Sequence, residues 1–564
     1  LGAFKGCNSI EWIRVPFVGN KRGLVGNTNF GHIFGASSYV RNKEAVPTSL
    51  KSIVVSDDCI IAESAFEGCS GIESMIISKS VVSIGNGAFY GCSGILNIEL
   101  PFVGSERGVG GDPNFGYVFG TQYDSSSEVV PLTLKTVKIT DETSIANCAF
   151  QGCSNITKIE VVGSVKSIGN QAFSGCTSLT DILLPNMLTS IGGKAFENCI
   201  SLETIRLPVS VVNIGSWIFA GCENLTAVLV DGAGGAYSSV DGVLYSADQQ
   251  ELVYVPSDKV LFVVPATVKR IRAYAFANLT KLEQVVISDG VEEIGADAFY
   301  GCQSLTSIEF PSSVVKIGTE ALKGCSSIKR VVVPFVGSNR GVSVTSNFAH
   351  LFSGYGLGGN VPTSLEEVCI TDDNDIASDA FSWCSSVKSI SISSSVTNMG
   401  KRIFYECKSL ERLIIPFLGA TDNASSRLSY LFSDASDANK YVVPLSLRTV
   451  SLEGGAVVSS AFEGCPGIES VVLGEAIKTI GKDAFASCAN LQSVCFCGGS
   501  PTCEDFIYGS GETLSPIVTT YVKEGCTAGD RRCQGADDQR RSRTIGLAAE
   551  IGSLVNAAIA LFRH

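Results

Sequence analysis

The chain has 564 residues, of which 45% are hydrophobic and only 17% are charged, and its mean hydropathy is +0.27. This composition excludes an intrinsically disordered chain, and 59 Gly against 17 Pro exclude a collagen-like one. A net charge of −13 without a basic patch or stripe argues against a nucleic-acid partner. With three His in the whole chain, a catalytic site that depends on histidine has almost no material to be built from.

The chain begins inside a repeat. Residues 1–7 (Leu-Gly-Ala-Phe-Lys-Gly-Cys) already carry an Ala-Phe-x-x-Cys pattern that recurs downstream. Because no initiator Met precedes them, we expect the chain to be a fragment whose signal peptide is out of view. The lack of a visible signal peptide therefore does not indicate a cytosolic protein.

A 23-residue unit dominates the sequence. Residues 65–69 read Ala-Phe-Glu-Gly-Cys, and residues 88–92 repeat the pattern 23 positions later. Between such turns, Leu-x-x-Ile-x-Leu-Pro predicts a short strand with alternate residues pointing inward, and Val-x-x-Ile-Gly predicts a second extended piece. Phe and Cys lie one helical turn apart and share a face. Each unit is therefore predicted to form one coil, and stacked coils bury their apolar side chains in one continuous core.

Four longer periods interrupt this spacing, near residues 8–69, 93–153, 326–384 and 408–465. Each begins with Pro-Phe-Val-Gly or Pro-Phe-Leu-Gly and continues with a segment such as Asn-Phe-Gly-His-Ile-Phe at residues 29–34. Two units of 23 leave 12 to 16 residues over, so we interpret each long period as two coils whose surplus residues form loops. The Ile33-Phe34 pair is predicted to take the Ala-Phe position.

Two further segments depart from the repeat. Residues 231–265 contain apolar runs on either side of Asp241-Gly242, which predicts a hairpin insert. The repeat solenoid is predicted over residues 1–500, and residues 501–564 are predicted to form a C-terminal cap or tail that is disordered in part. The apolar stretch 545–562 follows several Arg and has three interpretations: a capping helix, an unordered or foreign segment, or a membrane anchor.

The full pattern, Leu-x-x-Ile-x-Leu-Pro-x-x-Val-x-x-Ile-Gly-x-x-Ala-Phe-x-x-Cys, occurs in about a dozen places up to about residue 500. It resembles the BspA-like leucine-rich repeats of the Treponema pallidum type. The resemblance implies a right-handed solenoid with a parallel sheet on one face and short turns or 3₁₀ helices on the other. It also implies adhesion at a cell surface or after secretion, and it assigns no catalytic residue. The visible turns plus the hidden coils give about 18 or 19 rungs.

Thirteen of the 21 Cys occupy the last position of the repeat turn, where stacked neighbours would approach disulfide distance. The odd total, the uncompensated Leu279 in one such position and the parallel direction of adjacent side chains favour a ladder of buried free thiols instead. The predicted core of the repeat comprises Phe66, Cys69, Phe89, Cys92, Phe173, Cys176, Phe196, Cys199, Phe299 and Cys302.

Five other Cys lie near the C-terminus: Cys495, Cys497, Cys503, Cys526 and Cys533. They are interpreted as one or two disulfides in a cap, as a zinc site, or as buried or disordered thiols. The Cys-x-x-Cys pair of common zinc sites is absent. No phosphate-binding loop precedes a helix either, so no cofactor and no metal site are predicted.

His32 and His350 occupy a position that holds Tyr in the other two long periods, which predicts a packing role for both. The acidic pairs at residues 57–58 and 372–373 lie in equivalent turns and are predicted to be solvated, with cation binding as the sharper alternative.

Partner binding is predicted in the loops of the long periods, because loops on a rigid scaffold often carry function. The outward strand positions, such as Thr180, Asp181 and Leu183, are small, polar and mixed in charge, and they form no hot spot rich in Trp, Tyr and Arg. The candidate binding residues are Lys21, Arg22, Tyr39, Glu106, Arg107, Tyr123, Asn339, Arg340 and Tyr355.

These features favour a non-enzymatic adhesion or binding scaffold, at the cell surface or secreted, that recognises host, matrix or microbial surface proteins. A non-catalytic region of a larger secreted enzyme and an intracellular interaction scaffold are the alternatives. An attached hydrolase domain would favour the first alternative, whereas a signal peptide with an anchor would favour the surface protein. Nucleic acid is not an expected partner, and membrane contact is expected only through residues 545–562.

Overall fold

The computed structural model describes residues 1–23, 28–108, 112–121, 128–341, 347–353, 361–421, 426–433, 438–497, 501–504, 507–509 and, for the backbone alone, 519–522. Several predictions therefore concern residues outside the described ranges: Tyr123, Tyr355, Cys526, Cys533 and the stretch 545–562.

Short strands make up most of the secondary structure. The first are β1 (Trp12–Val15), β2 (Ser52–Val55), β3 (Ile60–Ile61), β4 (Ser74–Ile77), β5 (Ser83–Ile84), β6 (Asn97–Leu100), β7 (Thr136–Ile145), β8 (Lys158–Ile168), β9 (Asp181–Leu183), β10 (Ser190–Ile191), β11 (Thr204–Pro208), β12 (Asn213–Ile214) and β13 (Ala227–Asp231). Next come β14 (Tyr237–Val240), β15 (Val243–Ser246), β16 (Glu251–Tyr254), β17 (Leu261–Val263), β18 (Arg270–Ile271), β19 (Gln284–Val286), β20 (Glu293–Ile294), β21 (Ser307–Glu309), β22 (Lys316–Ile317) and β23 (Arg330–Val333).

The remaining strands are β24 (Glu367–Ile370), β25 (Asp375–Ile376), β26 (Ser389–Ile392), β27 (Asn398–Met399), β28 (Arg412–Ile415), β29 (Thr449–Leu452), β30 (Ser470–Leu473), β31 (Thr479–Ile480), β32 (Ser493–Phe496), β33 (Thr502–Cys503) and β34 (Thr519–Val522). The helices are short: α1 (Asn42–Ala45), α2 (Asn439–Val442) and the 3₁₀ helices Phe30–Phe34, Tyr39–Arg41, Phe115–Phe119, Phe348–Leu351 and Leu428–Leu431.

The longer strands form a parallel ladder along one face of the molecule. Ile13 pairs with Ile53, and Ile53 pairs with Met75, so that the inward side chains of successive rungs stack on one another. Along the chain this ladder is paired in four segments, β1 to β9, β11 to β13, β17 to β19 and β21 to β34. The predicted solenoid is confirmed: the chain is a parallel β-solenoid of about 18 turns with little helix.

The two-residue strands form a second parallel ladder where the Val-x-x-Ile-Gly motif recurs, as between β3 and β5 and between β10 and β12. Its Gly is required by the closeness of the rungs: a Cβ on Gly85 would lie 2.2 Å from the backbone nitrogen of Glu63. A side chain at this position would force the rungs apart.

The Ala-Phe turn carries a third ladder. The backbone N–H of Phe66 donates to the carbonyl of Ala88, at 2.7 Å, and the same bond joins Phe150 to Ala172. The Phe rings stack as a column, with the ring centroids of Phe150 and Phe173 5.4 Å apart. The five Phe of the predicted core, Phe66, Phe89, Phe173, Phe196 and Phe299, are all buried.

The repeat Cys form a ladder of thiols: twelve of the thirteen are buried, none of the thirteen forms a disulfide, and only Cys7 is exposed. The thiols also donate hydrogen bonds, which their interpretation as small apolar groups did not predict. The Sγ of Cys92 donates to the carbonyl of Phe66 in the preceding rung at 3.1 Å, and Cys199 bonds Phe173 in the same way. The Phe66 carbonyl accepts the N–H of Cys69 as well, so both of its lone pairs are used.

Each long period holds two main-ladder strands, which pair directly across the intervening loops, as Trp12 does with Ser52. Its 3₁₀ helix replaces the Ala-Phe turn and faces two neighbours. The carbonyl of Ile33 accepts the N–H of Phe4 in the preceding rung, as expected for the Ala-Phe position. On the other side it is Phe30 that donates to Ala65 of the next rung. The five residues of the 3₁₀ helix therefore bond to both neighbouring rungs, a task that the Ala and Phe of a regular turn perform alone.

Residues 231–265 contain an antiparallel meander, in which β15 pairs with both β14 and β16. Asp241 and Gly242, both at positive φ, form the hairpin turn. The prediction of one continuous core was wrong, because the buried side chains divide into two clusters at this point. Val243 packs with the second cluster and Leu244 with the first, so alternate side chains of β15 face opposite halves of the solenoid.

Candidate partner-binding surfaces

Each of the first three long periods has an Arg six positions after the Pro of Pro-Phe-Val-Gly. This Arg pairs with an Asp of the next rung, which follows the main strand in two periods and lies within β7 in the second. Arg22 lies 2.8 Å from Asp57, and the equivalent pairs are Arg107–Asp141 and Arg340–Asp372. Two of these Arg also reach main-chain carbonyls: Arg107 donates to Asp141 at 2.8 Å and Arg340 to Val314 at 3.1 Å. The Arg therefore braces its loop against the next rung.

The second acidic residue of each turn is buried and accepts backbone N–H groups from the same loop. Asp58 accepts from Val18 at 2.8 Å, from Gly23 at 3.1 Å and from Cys59 at 2.9 Å. Asp373 accepts from Val336 at 2.9 Å in the same way. We call each Arg–Asp pair, together with the buried carboxylate beside it, a clasp.

The prediction that these acidic pairs are solvated was wrong for their second members. Asp58 is fully buried and Asp373 is 3% exposed. Burial raises the pKa of Asp373 above its ordinary value, against the backbone N–H groups that favour its charged form. A carboxylate is needed here because the loop turns several N–H groups away from the ladder, and buried N–H groups require acceptors. Only the first members, such as Asp57, are exposed.

The fourth long period has lost both halves of the clasp. Asp422 occupies the position of the Arg, and Gly454-Gly455 occupies that of the acidic pair. Here the N–H of Gly454 donates to the carbonyl of Pro416 at 2.7 Å. The simultaneous loss supports the view that Arg and the acidic pair act as one structural unit.

The structure places the predicted binding residues in two roles. Lys21, Glu106 and Asn339, each of which immediately precedes a clasp Arg, are exposed. Tyr39 begins the second 3₁₀ helix of the first long period and is also exposed. The clasp residues Arg22, Arg107 and Arg340 instead use their guanidinium groups for contacts within the chain.

A buried Asn in the first and fourth long periods was missed by the sequence analysis. Asn42 accepts the N–H of Gly31 at 2.9 Å and donates to the carbonyl of Ala65 at 3.0 Å. Asn439 accepts from Ser429 and donates to Ala461 in the same arrangement. The shared sequence Asn-Lys-x-x-Val-Pro, at residues 42–47 and 439–444, was the available signal.

The His and Tyr of the 3₁₀ helices reach the preceding rung. The Nε2 of His350 lies 3.2 Å from the carbonyl of Ile317, and the hydroxyl of Tyr430 donates to Met399 at 3.4 Å. These contacts agree with the predicted packing role.

Charges on the strand face pair with one another. Along the edge where the main strands begin, six consecutive rungs of the second half carry side chains of alternating sign: Lys329, Glu366, Lys388, Glu411, Arg448 and Glu469. Glu366 and Lys388 are 2.9 Å apart, and Arg448 and Glu469 are 3.1 Å apart. Neutralised in this way, the face offers little net charge for a partner.

An apolar patch at β17 and β19 departs from this pattern and was missed as well. Leu261, Val263 and Val286 point outward and are about half exposed. The signal lay in the uninterrupted run of five apolar residues at 260–264.

The described residues include three of the five C-terminal Cys, and none of Cys495, Cys497 and Cys503 forms a disulfide there. Within the described ranges, no group of three or more His, Cys, Asp or Glu is arranged to hold a metal ion. Among the same residues, no helix has the length and apolar character that crossing a membrane requires.

The sequence matches the family described as "BspA type Leucine rich repeat region", in six copies, over residues 45–105, 134–233, 260–350, 362–492 and 455–518. The chain belongs to the BspA-type leucine-rich repeat family. The motif resemblance is thereby confirmed. No curated protein matches the sequence of this BspA-type chain.

Solved structures of leucine-rich repeat proteins are similar to this BspA-type chain. A leucine-rich cell surface protein of Faecalibacterium prausnitzii is 23% identical, with 68% of this chain and 88% of that chain covered and a TM-score of 0.40. A leucine-rich repeat protein of Bacteroides ovatus is 23% identical, with coverage of 74% and 82% and a TM-score of 0.37. The pneumococcal vaccine antigen PcpA is 20% identical, with coverage of 69% and 85% and a TM-score of 0.39.

Proposed function

We propose that this chain is a non-enzymatic protein-binding scaffold at the cell surface or in the secreted fraction. It recognises host, matrix or microbial surface proteins through the loops of its long periods. The observation that supports the proposal is the clasp, which fixes three equivalent loops to the solenoid. Residues that a clasp already holds in place lose little conformational entropy when a partner binds.

The residue before each clasp Arg supports a recognition role. The brace is constant in three periods, whereas the exposed residue beside it changes from Lys21 to Glu106 to Asn339. A constant support under a variable exposed side chain is the arrangement expected of a recognition surface. Tyr39 adds an exposed aromatic ring in the second 3₁₀ helix of the first long period. Membership of the BspA-type family supports the surface location.

Binding of the purified chain to immobilised collagen, laminin and fibronectin tests this proposal. The loop variant replaces the four exposed residues with Ala: Lys21, Tyr39, Glu106 and Asn339. The control variant replaces the same four residue types at exposed positions outside these loops: Lys281, Tyr90, Glu223 and Asn186.

We expect the loop variant to lose about tenfold or more in affinity for at least one of the three proteins, and the control variant to lose little. Equal losses in both variants, or no binding by the unmodified chain, would count against the loops. Protease shaving of intact source cells tests the location, because a surface protein is released while an intracellular one stays protected.

A further inference from the structure

The main ladder is interrupted at the meander. β13 pairs with β11 and β17 pairs with β19, but these consecutive main strands do not pair with each other. The hairpin occupies the free side of β13, since the N–H of Val228 donates to the carbonyl of Gly242 at 2.9 Å and that of Val230 to the hydroxyl of Ser239 at 3.0 Å. β13 is thereby covered, and β17 begins the second half with an open edge.

The main-chain groups of β17 divide between its two sides. The carbonyl of Val260 accepts from Glu283 at 2.8 Å, and the N–H of Val264 donates to Val286 at 2.9 Å. In a parallel strand alternate residues bond to opposite neighbours, so Leu261 and Val263 direct their N–H and C=O groups away from β19. In the described chain no strand pairs with that edge.

The side chains beside this edge are apolar and exposed. Leu261 is 44% exposed, Val263 54% and Val286 51%. Open edges of natural sheets are usually protected by Lys or Pro, and residues 261–263 contain neither. Two independent features therefore coincide at β17. Its open edge carries main-chain groups that can bond to another backbone, and the exposed aliphatic side chains beside it can pack against apolar neighbours.

We propose that the open edge of β17 receives a short extended segment of a partner protein as an added β-strand. The segment carries aliphatic side chains at alternate positions, which pack beside Leu261 and Val263 on the strand face. Backbone hydrogen bonding selects a polypeptide over a lipid or a glycan, and the three-residue length of β17 selects a short segment. This inference rests on the proposed function of the chain as a protein-binding scaffold and adds a second site to it.

A fluorescent peptide of about eight residues, alternating Thr and Val between terminal Lys, is the probe. Its anisotropy is measured with the unmodified chain and with Val263→Lys, which places a charge beside the edge. Leu261→Pro is the second variant, because it removes only a donor that faces away from β19. Val315→Lys is the matched control, since Val315 is 48% exposed and lies outside the patch. Circular dichroism checks the fold of every variant.

We expect the unmodified chain and Val315→Lys to bind the peptide, and Val263→Lys and Leu261→Pro to bind about tenfold more weakly or not at all. An N-methylated peptide, which lacks the N–H donors, should also fail to bind. Equal binding by all variants, or no binding by the unmodified chain, overturns the proposal.

Sedimentation of the chain without peptide tests a different occupant. A dimer that Val263→Lys dissociates would assign the edge to a second copy of the chain and would overturn the partner segment. The matrix-protein assay separates this inference from the proposed function. If the loop variant abolishes matrix binding while the peptide never binds, the binding scaffold stands and the edge site falls.

Discussion

The 23-residue rungs and the long periods close the same solenoid with different chemistry. In the regular rungs a column of Phe rings and a ladder of thiols repeat from one rung to the next. In the long periods the Phe column continues through the 3₁₀ helices, as from Phe30 to Phe66, and buried polar side chains such as Asp58 and Asn42 are added. Extra residues turn backbone N–H groups away from the ladders, and those groups need an acceptor that the next rung does not supply. An insertion into a solenoid is therefore stable only with its own acceptor.

The largest effect is expected in the regular rungs. Phe173→Ala should lower the free energy of unfolding by about 3–5 kcal/mol, because the ring is fully buried between Phe150 and Phe196. Urea unfolding, followed by circular dichroism, measures this loss. Phe4→Ala is the control, since Phe4 lies in the exposed first turn and should cost much less. Similar losses for both variants would contradict a column that acts through burial.

A smaller loss is expected when the buried half of a clasp is removed. Asp58→Ala leaves the N–H groups of Val18, Gly23 and Cys59 without this acceptor and should cost about 1–3 kcal/mol. Hydrogen exchange should show the loss concentrated in the first loop, because each rung contacts only its neighbours. Exchange that rises evenly along the whole chain would argue against a local brace.

Alkaline pH should act on the regular rungs. Burial raises the pKa of Cys92, Cys325 and Cys407 to about 12, from an ordinary value near 9. The folded state favours the neutral thiol, so this stability is fully present below pH 9 and is lost as the pH rises from 9 towards 12. The melting temperature should fall over that range. It should fall less in a variant with Val at these three positions; an identical fall would assign the effect to other groups.

The spacing of Ala-Phe-x-x-Cys was enough to predict the coil, the strand face and the buried thiols, because each of these follows from a local pattern repeated at a fixed step. The division of the core was not predictable in this way. It depends on Leu244 and Val243, which face opposite halves of the solenoid because β15 lies between the two core clusters.

The candidate site was predicted only in outline. The loops were found from their motif, but Arg22 and Asp58 are 36 residues apart in sequence, and their contribution to one clasp is a tertiary feature. A signal was nevertheless present, since Arg and the acidic pair occur together in three periods, whereas the fourth has Asp422 and Gly454-Gly455 at these positions. Comparison of internal repeats thus carries information that one motif alone does not.

The smallest effect is expected at the exposed half of the clasp. Arg22→Gln should cost less than about 1 kcal/mol, because both Arg22 and Asp57 are more than half exposed and solvent screens the pair. Arg340→Gln should cost more, since Arg340 is only 27% exposed and also donates to the carbonyls of Ser312 and Val314. Urea unfolding of the two variants at low and high salt measures the difference. Salt should remove most of the Arg22 effect and leave much of the Arg340 effect, because hydrogen bonds to carbonyls are screened less than an exposed ion pair. If the two losses are equal and equally sensitive to salt, the guanidinium groups act only as surface charges, and the loops are held by the buried carboxylates alone.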